Sequence, residues 1–98
     1  MFVSSKKENS IDNIVRRFKL RRVDLLKMDI EGSEYEALRS GKFTLMKFRP
    51  KIIAEIHSFE LREKIINFLE KFGYILVFEK TKKDHKFYLS YFKPKYEL

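Results

Sequence analysis

Asp29, Glu31, Glu55 and His57 are the residues whose types and spacing can do chemistry. Asp29 and Glu31 stand two residues apart in the run Val23-Asp24-Leu25-Leu26-Lys27-Met28-Asp29-Ile30-Glu31-Gly32-Ser33-Glu34. Glu55 and His57 repeat that spacing at the end of Pro50-Lys51-Ile52-Ile53-Ala54-Glu55-Ile56-His57. Residues two apart on a strand face the same way. If the two runs are neighbouring strands, these carboxylates and the imidazole converge at one sheet edge. Crowded like charges raise a carboxylate's pKa, so Glu31, Asp29 or His57 suits proton removal from a substrate hydroxyl. Asp29, Glu31 and His57 are also ligand types for a divalent cation, though such a set selects no single metal.

Structural roles compete with these. Asp29 can cap the turn at Gly32. Glu31 can serve the positive end of a following helix. Lys27 and Glu55 can form a buried ion pair across the strands, and His57 can be a partly exposed residue ahead of a helix cap. Two carboxylates ending a buried strand are costly without a task, which favours function for Asp29 and Glu31. Glu55 and His57 stay open between the two. His85 lies in a polar turn and reads as solvated.

The elements that must position these residues follow from periodicity. Ser10 is an N-cap, and Ile11, Ile14, Val15 and Phe18 share a helical face. Val23 to Ile30 is a strand, apolar on both faces as in a parallel sheet covered on both sides. Gly32 frees the turn, Ser33 and Glu36 have capping-box spacing, and the helix they open ends near Gly41. Lys42 to Arg49 reads as a short irregular connection with packing residues. Lys51 to His57 is the second strand. Ser58 caps a helix with the stripe Leu61, Ile65, Phe68, Leu69 and Phe72, stopped by Gly73. Tyr74 to Lys80 and Lys86 to Phe92 form an antiparallel hairpin. The first three strands form a parallel set through right-handed crossovers, and the fourth reverses near one edge. The class is α/β, in one domain spanning 1–98.

Composition narrows the setting. The chain has 98 residues and 22 Lys and Arg against 14 Asp and Glu, a net +8. The basic residues are spread over several elements, which argues for a solvated surface over a nucleic-acid stripe. A charged content of 37% fits a heat-adapted source. Phe87, Tyr88, Tyr91 and Phe92 alternate in the hairpin and read as sheet core before a base-stacking surface. There is no cysteine, so disulfide and thiolate chemistry are excluded. No apolar run approaches a membrane span, and no signal-peptide core opens the chain, which points to the cytoplasm.

The run from Val23 to Glu34 resembles the signature of the FkbM-type methyltransferases, and Pro50 to His57 resembles that family's following strand. Ser10-Ile11-Asp12-Asn13-Ile14 is similar to the acidic helix start that precedes the signature. The resemblance implies a Rossmann-like class I methyltransferase fold, here a truncated half-sheet, with helices on the faces. In the full fold the sheet order is 3-2-1-4-5-7-6, and these strands look like the fourth to seventh. It implies S-adenosylmethionine as cofactor and O-methyl transfer to a small-molecule or sugar hydroxyl. Asp29 and Glu31 inherit the acceptor-side role by position, with Glu55 and His57 beside them. The glycine-rich cofactor turn of the family's first strands has no counterpart here, since Gly32, Gly41 and Gly73 are scattered. The chain is therefore expected to be the carboxyl-terminal half. It would work with a complementing protein or as a homo-oligomer, or serve as a non-catalytic interaction or scaffold module whose positive charge meets an anionic partner. Association through the apolar edge strand at Val23 is expected in each case.

Overall fold

The computed structural model describes residues 10–28, 34–81 and 87–95. The order is α1 (Ile11–Arg17), β1 (Leu25–Met28), α2 (Glu34–Arg39), α3 (Lys42–Phe48), β2 (Lys51–Ile56), α4 (Phe59–Lys71), β3 (Tyr74–Thr81) and β4 (Tyr88–Pro94). The architecture is α/β, with a four-stranded mixed sheet in the order β1-β2-β4-β3. β1 and β2 are parallel, and β4 runs antiparallel to both β2 and β3. The reversed strand thus sits one place in from the edge, between the two strands that precede it.

Local chemistry explains the helix ends. The Ser10 hydroxyl accepts the Asn13 N–H at 3.4 Å, and Arg16 and Arg17 lie in the last turn of α1, where the dipole favours cations. The Ser58 hydroxyl accepts the Leu61 N–H at 3.0 Å and opens α4. Gly73 closes it with φ at 77°. The expected stripe on α4 packs inward, with Ile65, Phe68 and Leu69 buried and Leu61 and Phe72 half-buried.

The segment Lys42 to Arg49 corrects the expected irregular connection: it is helix α3. Its apolar spacing is poor because Phe43 and Met46 are 58% and 65% exposed, leaving Leu45 and Thr44 as the inward residues. Helix α2 ends at Arg39, near Gly41 as expected, and Gly41 then takes a second role as the N-cap of α3. Its φ is −113°, and it precedes α3. A Cβ there would lie 2.8 Å from Ile11 side-chain atoms, so glycine is required by the close approach of α1.

All the described helices lie on one face. Moving from β1 to β2 to β3 steps one way across the sheet, and right-handed crossovers then put every connection on the same side. Burial agrees. Leu26 and Met28, Ile52, Ala54 and Ile56, and Tyr88, Ser90 and Phe92 are buried on that side, in one core with Ile11, Val15, Leu38, Leu45, Ile65 and Leu69. On the other side Leu25 is 41% exposed and Lys27 is exposed. The sequence leads one to expect β1 covered on both sides and helices on both faces; among the described residues the helices cover one face, and Leu25 and Lys27 of β1 are exposed on the other. Tyr88 and Phe92 do serve the core, while Tyr91 is half-buried on the open side.

The amino ends of the strands are fastened by Arg49, itself in the left-handed region at φ 51°. Its guanidinium donates to the carbonyls of Phe72 and Gly73 and stacks 5.0 Å from the Tyr74 ring centroid. The buried Tyr74 hydroxyl donates to the Pro50 carbonyl at 2.6 Å.

Candidate active site

The parallel register pairs Leu25 with Lys51, Leu26 with Ile52, Lys27 with Ile53 and Met28 with Ala54. The described part of β1 therefore ends level with Ala54, immediately before Asp29 in one strand and Glu55 in the other. Ligands of open α/β sheets bind outside such adjacent carboxyl ends. Asp29 and Glu31 themselves lie outside the described residues, as do Gly32, Ser33 and His85.

Glu55 is half-buried on the open side of the sheet, opposite Leu89 of β4. His57 follows β2 and is exposed. Its ring meets Phe87 edge-on, with centroids 5.4 Å apart and planes at 68°, a contact that orients the imidazole. Lys27 is exposed beside Ile53, so the alternative of a buried Lys27–Glu55 pair does not hold. Among the described residues no group of acidic, His or Cys side chains gathers that could hold a metal ion.

On the helix side of the sheet lies a polar cluster that the sequence did not disclose. Arg62 of α4 donates from Nε to Glu79 of β3 at 2.7 Å, and the buried Ser90 hydroxyl donates to the same carboxylate oxygen at 3.0 Å. The hydrogen bond to Glu79 raises the Arg62 pKa, outweighing the opposite effect of burial. The guanidinium also lies 5.3 Å from the Tyr88 ring centroid. The available signal was Glu79 itself, a carboxylate that follows the apolar run Tyr74 to Phe78 within β3. Every donor and acceptor named here is engaged within the fold, so the cluster ties α4 to β3 and β4.

A groove of about 720 Å³ opens at the opposite end of the strands, lined in part by Arg22, Asp24, Lys47, Arg49 and Lys51. It is remote from Glu55 and His57, and Arg22 is already bonded to Asp24 at 3.0 Å. A smaller recess of about 230 Å³, lined by Ser58, Glu60, Leu61 and Lys64, lies at the start of α4, next in sequence to His57.

S-adenosylmethionine needs a backbone cradle for its carboxylate and ribose, and the described residues do not fit it by themselves. Gly41 is occupied by the Ile11 contact and Gly73 by the Arg49 contact. Neither lies at the carboxyl ends of β1 and β2. No helix among the described residues is long and apolar enough to cross a membrane.

The family model of the methyltransferase FkbM domain matches residues 5–76, and the chain belongs to the FkbM methyltransferase family. The matched stretch contains the four described helices, β1, β2 and the four candidate residues, and it ends inside β3. No curated protein and no solved structure matched the chain.

Proposed function

We propose that this member of the FkbM methyltransferase family forms the acceptor side of an S-adenosylmethionine-dependent O-methyltransferase, completed by a second polypeptide that holds the cofactor. The observation that carries this reading is the β1–β2 pairing, which sets the carboxyl end of the signature strand beside that of the Glu55–His57 strand. The order β1-β2-β4-β3 supports a Rossmann-like half-sheet, because the fourth to seventh strands of the full fold run 4-5-7-6. A small-molecule or sugar hydroxyl would bind over this edge. The contribution of this chain is to align that hydroxyl and take its proton, with Asp29, Glu31 or His57 as the base and Glu55 fixing the acceptor. We place the reaction in the cytoplasm.

A second reading is a non-catalytic module that associates through its sheet edge, with itself or with another protein. It is favoured by the position of β1 at the edge of the sheet and the exposure of Leu25. Calorimetric titration with S-adenosylmethionine separates the two, run on the chain alone and on its mixture with the protein encoded immediately upstream. Heat only in the mixture supports the completed enzyme. No heat in either case supports the module. A monomer by light scattering whose Leu25 to Met28 amides exchange freely, alone and in that mixture, removes edge association from both readings.

A further inference from the structure

Basic residues that stand apart in sequence are gathered where α1 packs on α3. No acid occurs from Asn13 to Val23 or from Ala37 to Ala54. The bonds from Asp12 to Phe43 and Thr44 set these two stretches side by side. Exposed Arg16, Lys19 and Lys47 line a recess of about 320 Å³ whose apolar wall includes Val15, Leu20 and Phe43. Phe18 adjoins Lys19, and Met46 lies one turn from Phe43 on α3. Phe18, Phe43 and Met46 are 66%, 58% and 65% exposed. The acids lining this recess and the adjoining groove at the amino ends of the strands are Asp12 and Asp24, and both are engaged, Asp12 with the first turn of α3 and Asp24 with Arg22. The segments 1–9 and 96–98 run into α1 and out of β4. By sequence their Lys6 and Lys7 balance Glu8 and Glu97, so they leave the sign of this corner unchanged.

We propose that this corner is a peripheral membrane-binding surface, seated on a bilayer that carries anionic phospholipid. Its cations meet the lipid phosphates, while Phe18, Phe43 and Met46 enter the boundary between headgroups and acyl chains. The negative ends of two helix dipoles account for Arg16, Arg17 and Lys47, but not for the apolar side chains exposed beside them. Side-chain type decides against a nucleic acid. The Lys47 ammonium lies 5.4 Å from the Phe43 and Phe48 ring centroids, and the Arg17 guanidinium 5.8 Å from that of Phe18. Each ring therefore already holds a cation, and Met46 and Leu20 have no ring for a base to stack on. A bilayer boundary asks only for apolar bulk next to positive charge. The corner lies towards the amino ends of the strands, because α1 and α3 lead into the starts of β1 and β2. Seated there, the chain keeps the edge with Glu55 and His57 turned away from the lipid. The surface stands whether or not the chain takes part in methyl transfer.

The test is sedimentation of the full chain with vesicles of phosphatidylcholine alone, and with vesicles of phosphatidylcholine and phosphatidylserine in equal parts. Binding to the mixed vesicles is expected to be at least about tenfold tighter, with an advantage that shrinks as salt rises. The triple variant Arg17→Gln, Arg21→Gln, Lys47→Gln should lose at least about tenfold on the mixed vesicles. The double variant Phe18→Ala, Met46→Ala should also bind more weakly, with the circular dichroism of the fold unchanged in both. The chain has no tryptophan, so Phe18→Trp supplies a single reporter of depth. Its emission should shift to the blue on the mixed vesicles and be quenched by lipids brominated on their acyl chains. Equal binding to the two kinds of vesicle overturns the proposal, and so does binding to neither. Full binding by the folded triple variant overturns it in favour of another surface. Vesicle binding without quenching of the Phe18→Trp emission overturns insertion at this corner. Tighter binding to single-stranded polyuridylate than to the mixed vesicles at the same salt overturns it in favour of a nucleic acid.

Discussion

The Asp12 carboxylate caps a helix that is not its own. Its Oδ1 accepts the Thr44 N–H at 3.0 Å and the Thr44 hydroxyl at 2.7 Å, and its Oδ2 accepts the Phe43 N–H at 3.2 Å. The N-cap of helix α3 is Gly41, which has no side chain to offer, so the orphan amides of its first turn are met from α1, 31 and 32 residues away in sequence. Thr44 is fully buried, and Asp12 is its side-chain partner. Asp12→Ala should destabilise the chain by up to about 2 kcal/mol, as loss of a strong cap does. In a domain of this size that lowers the melting temperature by about 4–8 °C per kcal/mol. Asp12→Asn, which keeps one acceptor oxygen, should recover part of the loss. Equal melting of Asp12→Ala and the parent would show that water caps α3 instead.

The same junction gives a steric prediction. Gly41→Ala puts a methyl 2.8 Å from Ile11 side-chain atoms, and Ile11 is fully buried with nowhere to move. The expected cost is about 1–3 kcal/mol in urea unfolding. Trimming Ile11 to Ala should itself be destabilising. In the double variant the two penalties should sum to less than their separate values, because the cavity accepts the new methyl. Strict additivity would sever the link between Gly41 and Ile11.

These two contacts also show where the sequence is legible and where it is not. Caps whose partner lies three residues ahead, Ser10 with Asn13 and Ser58 with Leu61, are readable from the string because the chemistry is local. Asp12 reads as a first-turn acid of α1, and nothing nearby says that it serves α3. Helix α3 itself was missed because Phe43 and Met46 face outward and break the apolar stripe that periodicity needs. The strand order followed from the family resemblance, and the crossover rule gave only its parallel part. The uncovered face was hidden because Leu25, Ile53 and Leu89 are as apolar as buried residues would be, and composition does not record which side carries helices. For the site, the pairing of the two strand ends was legible. The Arg62–Glu79–Ser90 cluster was not, because its members lie 17 and 11 residues apart on three elements.

Arg62 and Glu79 supply a second stability test. Their side chains are 19% and 17% exposed, largely withdrawn from water. Glu79→Ala leaves the guanidinium with only the more exposed Glu63 at 3.3 Å and strands the buried Ser90 hydroxyl. A loss of about 3 kcal/mol is expected in chemical unfolding. Replacing both partners with apolar residues, Arg62→Met with Glu79→Leu, should cost less than Glu79→Ala alone, since no charge is left buried. A double variant that is worse than the single one would mean that the pair contributes net attraction beyond its desolvation.

Tyr74 sets an alkaline limit. Burial raises its phenol pKa well above the ordinary 10.0, with Arg49 opposing in the smaller degree. The folded phenol holds its proton while the unfolded one releases it, so the unfolded state binds fewer protons above pH 10. Stability is therefore full below that pH and falls as pH rises towards the folded value, with a slope of at most about 1.4 kcal/mol per pH unit. Tyr74→Phe should lose about 1 kcal/mol at neutral pH with the hydrogen bond to Pro50, and should flatten this alkaline decline. Urea midpoints recorded from pH 8 to 11 check both. An unchanged alkaline slope in Tyr74→Phe would move the effect to another group.

The site prediction concerns the assembled enzyme. His57 is exposed and makes one aromatic contact, so His57→Asn should leave unfolding within about 0.5 kcal/mol of the parent. With the partner present and methyl transfer followed by mass, a base at this position predicts a fall in kcat of about 10²- to 10⁴-fold. Asp29→Asn and Glu31→Gln distinguish which group takes the proton, because the base shows the larger kcat effect and a positioning group the larger KM effect. Glu55→Gln, on the open side of β2, should raise KM more than it lowers kcat if it holds the acceptor. Full turnover in all of these variants would place the base on the partner polypeptide and reduce this sheet edge to a support for the acceptor.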